Sequence, residues 1–244
     1  MKLLAFETAT EACSVALWID GDVRERFELA PRRHAELALP WAEALLEEAG
    51  IARAQLDAIV VGRGPGAFTG VRLAVAIAQG IALALDIPVV PISTLAVLAA
   101  SLPGQGEQQN QRILAAIDAR MGEIYLGAFA HSADGLVVAL GEEILMPPQQ
   151  PIDWLRVAQC DAVKAVQQEW VGIGSGFAAG DRALIAGLGD ALTRSDANAL
   201  PHAADLARLA AAAYVRGETR SPEHVEPAYL RDKVALTLGE QGKR

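Results

Sequence analysis

Residues 112–140, RILAAIDARMGEIYLGAFAHSADGLVVAL, restate the plan of residues 2–29, KLLAFETATEACSVALWIDGDVRERFEL. Each stretch is an apolar strand ending in a carboxylate, a short polar turn, a second strand, and an Asp-Gly turn into a third. The carboxylates are Glu7 and Asp118, and the turns are Asp20-Gly21 and Asp134-Gly135. One Asp-Gly hairpin is common in α/β chains, whereas two with matching strand-end acids point to a duplicated lobe. Between the copies, apolar spacing predicts a helix over 34–49, the strand LDAIVV, a helix from Gly70, the strand PVVPI and a helix from Thr94. The polar segment LPGQGEQQNQ (102–111) is the break before the second copy. The expected division is an N-terminal lobe over 1–102, completed by a C-terminal helix and tail at about 201–235, with a second lobe over 110–200 and a frayed tail over 236–244.

A β-β-β-α-β-α unit used twice is the plan of the actin, sugar-kinase and Hsp70 ATPase superfamily. The fold class expected is therefore α/β, actin-like, with two duplicated lobes, each a mixed sheet flanked by helices. In that plan the two strand-end carboxylates face an interlobe cleft that holds a metal and nucleotide phosphates.

Composition narrows the function classes. The chain has 244 residues, with 21 Lys plus Arg against 30 Asp plus Glu and a formal net charge of −9. Strong RNA binding draws on cations that neutralise phosphates, so this balance argues against the chain being an RNA-binding surface by itself. Cys13 and Cys160 lie too far apart in sequence for metal-ligand spacing and form no disulfide framework, which fits a reducing compartment. The N-terminus has no long apolar run before its first acid. Residues 73–85, bounded by Arg72 and Asp86, are too short to cross a bilayer, so a cytoplasmic protein with no membrane role is expected.

The glycine-rich stretch GRGPGAFTGVRLAVAIAQG (62–80) is not a Walker A loop, because no Lys occurs between Lys2 and Lys164. Gly62, Gly64 and Ala67 satisfy a lax G-x-G-x-x-A, yet no acidic strand end follows at the required distance. Gly64-Pro65-Gly66 suits a type II turn with positive φ at Gly66. Thr69 is the expected N-cap, and Phe68 and Leu73 the expected hydrophobic staple. Arg72 is a cation in a first turn, opposing the helix dipole, and either snorkels to solvent or meets an acid. The helix beyond it is apolar nearly all round, so more than one side needs cover. The row Gly70, Ala74, Ala78 and Ala82 is small throughout, and Val71, Arg72 and Val75 adjoin it. With Leu37, Trp41 and Leu45 of the helix at 34–49, it forms a candidate four-helix contact with another protomer. The alternative is that Ala74 and Ala78 fill the interior of their own lobe.

LAFETATEACSVAL, GRGPGAFTGVRLAVAIAQGIA, DARMGEIY (118–125) and EPAYLRDKVA (226–235) together resemble the TsaB (YeaZ) family, over residues 1 to about 235. The resemblance implies an actin-like fold and heterodimerisation with a catalytic paralogue, TsaD. It also implies participation with the P-loop ATPase TsaE in adding a threonylcarbamoyl group to N6 of an adenosine next to the anticodon, in tRNAs reading codons that start with A. Contact with tRNA would come only through the complex, and homodimerisation is open for the free chain.

The paralogue's metal depends on an H-x-E-G-H helix after the strand equivalent to PVVPI. Here those two histidine positions read Thr94 and Leu98, and His34, His131, His202 and His224 are scattered without metal-ligand spacing. His34 begins the helix at 34–49 as a surface or capping residue, or a partner contact. The bulky Arg120 and Met121 stand where small residues would let backbone N–H groups reach phosphate. Glu7, Thr8, Asp118, Gly174 and Gly176 outline at most a weak vestigial nucleotide cleft, the two glycines serving equally well in a tight strand-to-helix turn. Trp18, Trp41, Trp154 and Trp170 are expected in packing, and Tyr229 and Leu230 as anchors of the C-terminal segment. The expectation is a non-catalytic scaffold subunit with no cofactor and no metal. The rival readings are an ATP-dependent small-molecule kinase and a metallopeptidase.

Overall fold

A computed structural model describes residues 1–102, 112–149, 151 and 169–231. In the N-terminal lobe, β1 (Lys2–Glu7), β2 (Ala12–Ile19) and β3 (Asp22–Leu29) form an antiparallel meander, followed by α1 (His34–Ala49), β4 (Ala58–Gly62), α2 (Phe68–Leu85), β5 (Val89–Ile92) and α3 (Thr94–Ala100). The second lobe repeats this with β6 (Arg112–Arg120), β7 (Glu123–His131), β8 (Val137–Ala139) and β9 (Ile144–Met146), then β10 (Trp170–Ile173), α4 (Ala179–Leu188) and β11 (Leu192–Asp196). The helix α5 (Ala203–Val215) follows.

The sheet orders are β3-β2-β1-β4-β5 and β8-β7-β6-β10-β11. Term by term these are one topology: a central strand with an antiparallel meander on one side and two parallel strands on the other. The Asp20-Gly21 turn has positive φ at both residues (48° and 112°), as a two-residue hairpin of right-handed twist requires. At Asp134-Gly135 only Gly135 (79°) is left-handed, and Ser132 braces the turn through the Leu136 carbonyl. That looser turn leads into a third strand of only three residues.

Alternation along the strands builds a core on each face. Leu4, Phe6, Val15, Leu17, Ile59 and Val61 meet α1 and α2, while Leu3, Ala5, Ala16, Val60 and Val90 meet α5. Each such large side chain contributes about 1.5–3 kcal/mol by leaving water. In the second lobe, Leu114, Ala116, Leu126, Trp170 and Phe177 pack under α4. The opposite face, Ile113, Ala115, Ile117, Phe129 and Ile173, receives Leu95, Leu98 and Ala99 of α3. Helix α3 thus serves both lobes, since Val97 faces the α5 core. Trp170 is fully buried, and Trp18 and Trp41 lie half-buried against the cores.

Three local expectations are corrected. Helix α2 starts one residue before Thr69, with Ala67 as N-cap and no side-chain cap. Phe68 is exposed and is the first residue inside the helix, so it does not hold the N′ place of a staple. Positive φ falls on Gly64 (91°) rather than Gly66, and the Gly64–Pro65 peptide is cis. The cause is tertiary: the Ala67 N–H donates to the Ala9 carbonyl at 2.7 Å, and a Cβ on Gly66 would lie 2.4 Å from that same oxygen. The loop is shaped by its contact with residue 9, which no local rule anticipates. The break over 103–111, Trp154, Cys160 and the tail beyond 231 lie outside the described residues.

Candidate functional site

The repeated topology brings the ends of β1 and β6 to equivalent positions beside an interlobe cleft of about 940 Å³. Its N-terminal wall includes Ala9, Thr10, Glu11, Arg32, Phe68 and Arg72. Its opposite wall includes Asp118, Arg120, Tyr125 and Ser175, and Tyr229 and Arg231 close one side.

The two strand-end acids have unlike settings. Glu7 is 1% exposed and sits on Gly62, where an added Cβ would fall 1.9 Å from its Oε2. Its oxygens accept from the Ala9 N–H at 2.8 Å and the Thr94 hydroxyl at 3.0 Å. Burial outweighs these bonds and pushes its carboxyl up to about 7. Thr8 is equally buried, its hydroxyl donating to the Gly70 carbonyl at 2.7 Å. Neither residue lines the cleft, so their polar atoms serve the lobe's interior. Asp118 does line it. Its carboxylate accepts the Arg120 N–H at 2.8 Å and pairs with the Arg120 guanidinium at 3.2 Å, while its own N–H donates to Ser175 Oγ at 3.1 Å.

Gly174 and Gly176 are pressed onto β6: added Cβ atoms would lie 2.3 Å from the Ala116 carbonyl oxygen and 2.6 Å from Ala116 Cβ. They permit the turn out of β10 to pack, and neither lines the cleft. Leu98 is buried between the lobes, and Thr94 is engaged with Glu7, at the two positions where the paralogue pattern has histidine. Among the described residues, no group of three His, Cys, Asp or Glu side chains is placed to hold a metal ion. His34 Nε2 lies 3.0 Å from the Thr10 carbonyl and 3.1 Å from that of Ala12, tying α1 to the β1–β2 turn.

The small row of α2 faces inward. Gly70, Val71, Ala74, Val75, Ala78 and Ala82 are all buried in their own lobe, as is Leu45 of α1, while Leu37 and Trp41 are half-buried against the same core. What α2 turns outward is a second row, Phe68 (56% exposed), Ala76, Gly80, Leu83 (60%) and Ala84, flanked by half-buried Leu73, Ile77 and Ile81. The helical period was readable in the sequence; which arc met the sheet was not, because both arcs are apolar and both contain small residues. Among the described residues Arg72 is half-buried and paired with no acid. Its guanidinium stacks 3.3 Å over the Phe68 ring and 5.0 Å from that of Tyr229.

Sequence reasoning also missed Arg231. Its guanidinium donates to Glu123 Oε2 at 2.8 Å, to the Ala119 carbonyl at 3.1 Å and to Met121 Sδ at 2.8 Å. Only its place inside EPAYLRDKVA hinted at it.

A family model described as TsaD, tRNA N6-adenosine threonylcarbamoyltransferase, matches residues 28–237. The chain is 38% identical to the tRNA threonylcarbamoyladenosine biosynthesis protein TsaB of Escherichia coli K12, over 96% of each chain. It is 36% identical to the protein of that name from Haemophilus influenzae, over 96% of this chain and 95% of the other. A solved Pseudomonas aeruginosa structure, described as an uncharacterized protein with similarity to peptidase YeaZ, superposes with a TM-score of 0.81 at 43% identity, covering 94% of this chain and 99% of that one. With its duplicated actin-like lobes, the chain belongs to the TsaB (YeaZ) family.

Proposed function

We propose that this chain is an accessory, non-catalytic subunit in the synthesis of threonylcarbamoyladenosine in tRNA, acting as the heterodimer partner of a TsaD paralogue. The observation that carries this reading is the outward face of α2. Ala76, Gly80 and Ala84 repeat at i, i+4 with Leu83 and Phe68 beside them, an apolar strip with small residues that lets a second helix approach closely. An actin-like partner presenting an equivalent helix would make a pseudo-symmetric contact, and a second copy of this chain is the competing occupant. The names of the relatives support the pathway, and the engagement of Glu7 and Thr94 with each other supports a subunit whose chemistry resides in its partner. The P-loop ATPase TsaE joins that assembly, and tRNA is met through the complex.

The test is reconstitution. Threonylcarbamoyl-adenylate and tRNA are incubated with this chain, with the TsaD paralogue, and with both, and size-exclusion chromatography follows assembly. Product is expected only when the paralogue is present, and a mixed peak at heterodimer size. Product from this chain alone, or separate elution of the two proteins, overturns the reading.

A further inference from the structure

We infer that residues 220–231 are a strap that fixes the aperture of the interlobe cleft, with Arg231 as its clasp. The segment starts on the N-terminal lobe, where Arg220 and Val89 exchange backbone hydrogen bonds at 2.8 and 2.9 Å. It then runs along α2: the Gln79 side-chain amide donates to the carbonyls of Pro222 (3.0 Å) and Val225 (3.2 Å), and Val225 is buried in the α1–α2 core. The Ala228 N–H donates to the Arg63 carbonyl at 2.8 Å, and Tyr229 reaches the Arg72 guanidinium. Two residues later the chain has crossed to the other lobe, where Arg231 engages the β6–β7 hairpin.

That hairpin is shaped to receive a guanidinium. Arg120, Met121 and Gly122 are consecutive left-handed residues (φ 63°, 58° and 78°), a conformation that two non-glycine residues adopt only under local constraint. The turn presents the Ala119 carbonyl, the Met121 sulfur and the Glu123 carboxylate to one point, and the planar fork of Arg231, with its side chain 15% exposed, reaches all three. A lysine ammonium is a single point that cannot span them.

Placement gives the strap its consequence. The lobes also meet through α3, whose residues do not line the cleft, so α3 lies on the hinge side. Residues 227–231 border the cleft itself. A hinge on one side and a tie on the other set the separation of the lobes from within the chain, with no occupant of the cleft required. This holds whichever partner docks on α2.

The test uses the full chain. Arg231→Ala is expected to speed hydrogen exchange at Ile124 and Tyr125 at least about tenfold, leave β4 unchanged, and raise the radius of gyration in X-ray scattering. Arg231→Lys is expected to behave like Arg231→Ala. Parent-like exchange in Arg231→Ala overturns the proposal. Faster exchange with an unchanged scattering curve overturns it as well, since the contact is then local to the hairpin. Should Arg231→Ala fail to fold, Glu123→Gln keeps the carbonyl acceptor and removes the charge, and is expected to shift both readouts in the same direction by less. Parent-like behaviour in that variant is equally decisive against the strap.

Discussion

The Thr94 hydroxyl donates a 3.0 Å hydrogen bond to the Glu7 carboxylate across the junction of β1 and α3. At the position where the paralogue pattern has a histidine, this chain has a hydroxyl turned toward its own buried acid.

Glu7 makes stability depend on pH. Burial raises its carboxyl from 4.5 to about 7 in the folded chain. A raised folded pKa contributes stability that is fully present below 4.5 and is lost as pH rises through about 7, because the unfolded chain ionises first. The loss amounts to about 3 kcal/mol. Glu7→Gln is therefore expected to gain stability relative to the parent between pH 5 and pH 8, by urea unfolding at both values. An equal difference at both sinks the assignment.

Glu25 and His202 set a second dependence with two edges. Burial raises the Glu25 carboxyl, but bonds from His202, Ser14 and the Ala204 N–H outweigh it and hold it below 4.5. The bond to Glu25 in turn raises His202 above 6.5 against its own burial. The Glu25 contribution is present above 4.5 and lost as pH falls through its depressed value; that of His202 is present below 6.5 and lost as pH rises through its raised value. Docking of the α5 N-terminus is thus strongest between the two. Both side chains are partly solvent-exposed, so the effect is below about 1 kcal/mol. Exchange rates of the first α5 amides in His202→Ala, scanned over pH, should lose the alkaline edge and show a weakened acidic one, since His202 is also the leading interaction that holds Glu25 down.

Two alanines on α2 separate its core face from the proposed docking face. Ala78 is fully buried, so Ala78→Glu places an unpaired charge in the core, costs several kcal/mol and unfolds the lobe. Ala76 is exposed, so Ala76→Glu should keep the parental circular dichroism while abolishing association with the TsaD paralogue in size-exclusion chromatography. Normal association of a folded Ala76→Glu variant removes α2 from the interface.

The glycines of α2 should respond with opposite sign. A Cβ on Gly70 would lie 2.0 Å from the Thr8 carbonyl oxygen, so Gly70→Ala is expected to cost about 2–3 kcal/mol or more. At Gly80 a Cβ meets nothing within 4 Å, and Gly80→Ala should add up to about 1 kcal/mol through helix propensity. Thermal unfolding of the two variants checks both.

The duplicated lobe was legible because the two copies carry the same strand rhythm and the same turn chemistry, and the boundaries of β3 and α1 follow directly from Asp20-Gly21 and the helical spacing after Pro31. Local rules failed at the start of α2 because Ala9, far away in sequence, dictates the loop. They failed at Gly70, Ala74, Ala78 and Ala82 for a different reason: periodicity identifies an arc of a helix but not which side the sheet is on. Arg231 was invisible because its acceptors come from a hairpin more than a hundred residues earlier.

The contact between Thr8 and Gly70 has a thermodynamic corollary. Backbone touches backbone there, locked by the Thr8 hydroxyl, so α2 cannot roll or slide along its axis without breaking that seat. A partner docking on α2 as proposed would meet a pre-shaped strut and forfeit little conformational entropy on this side of the contact. Calorimetry of complex formation should accordingly show a heat-capacity change in proportion to the apolar area covered, without the additional decrement that coupled folding brings.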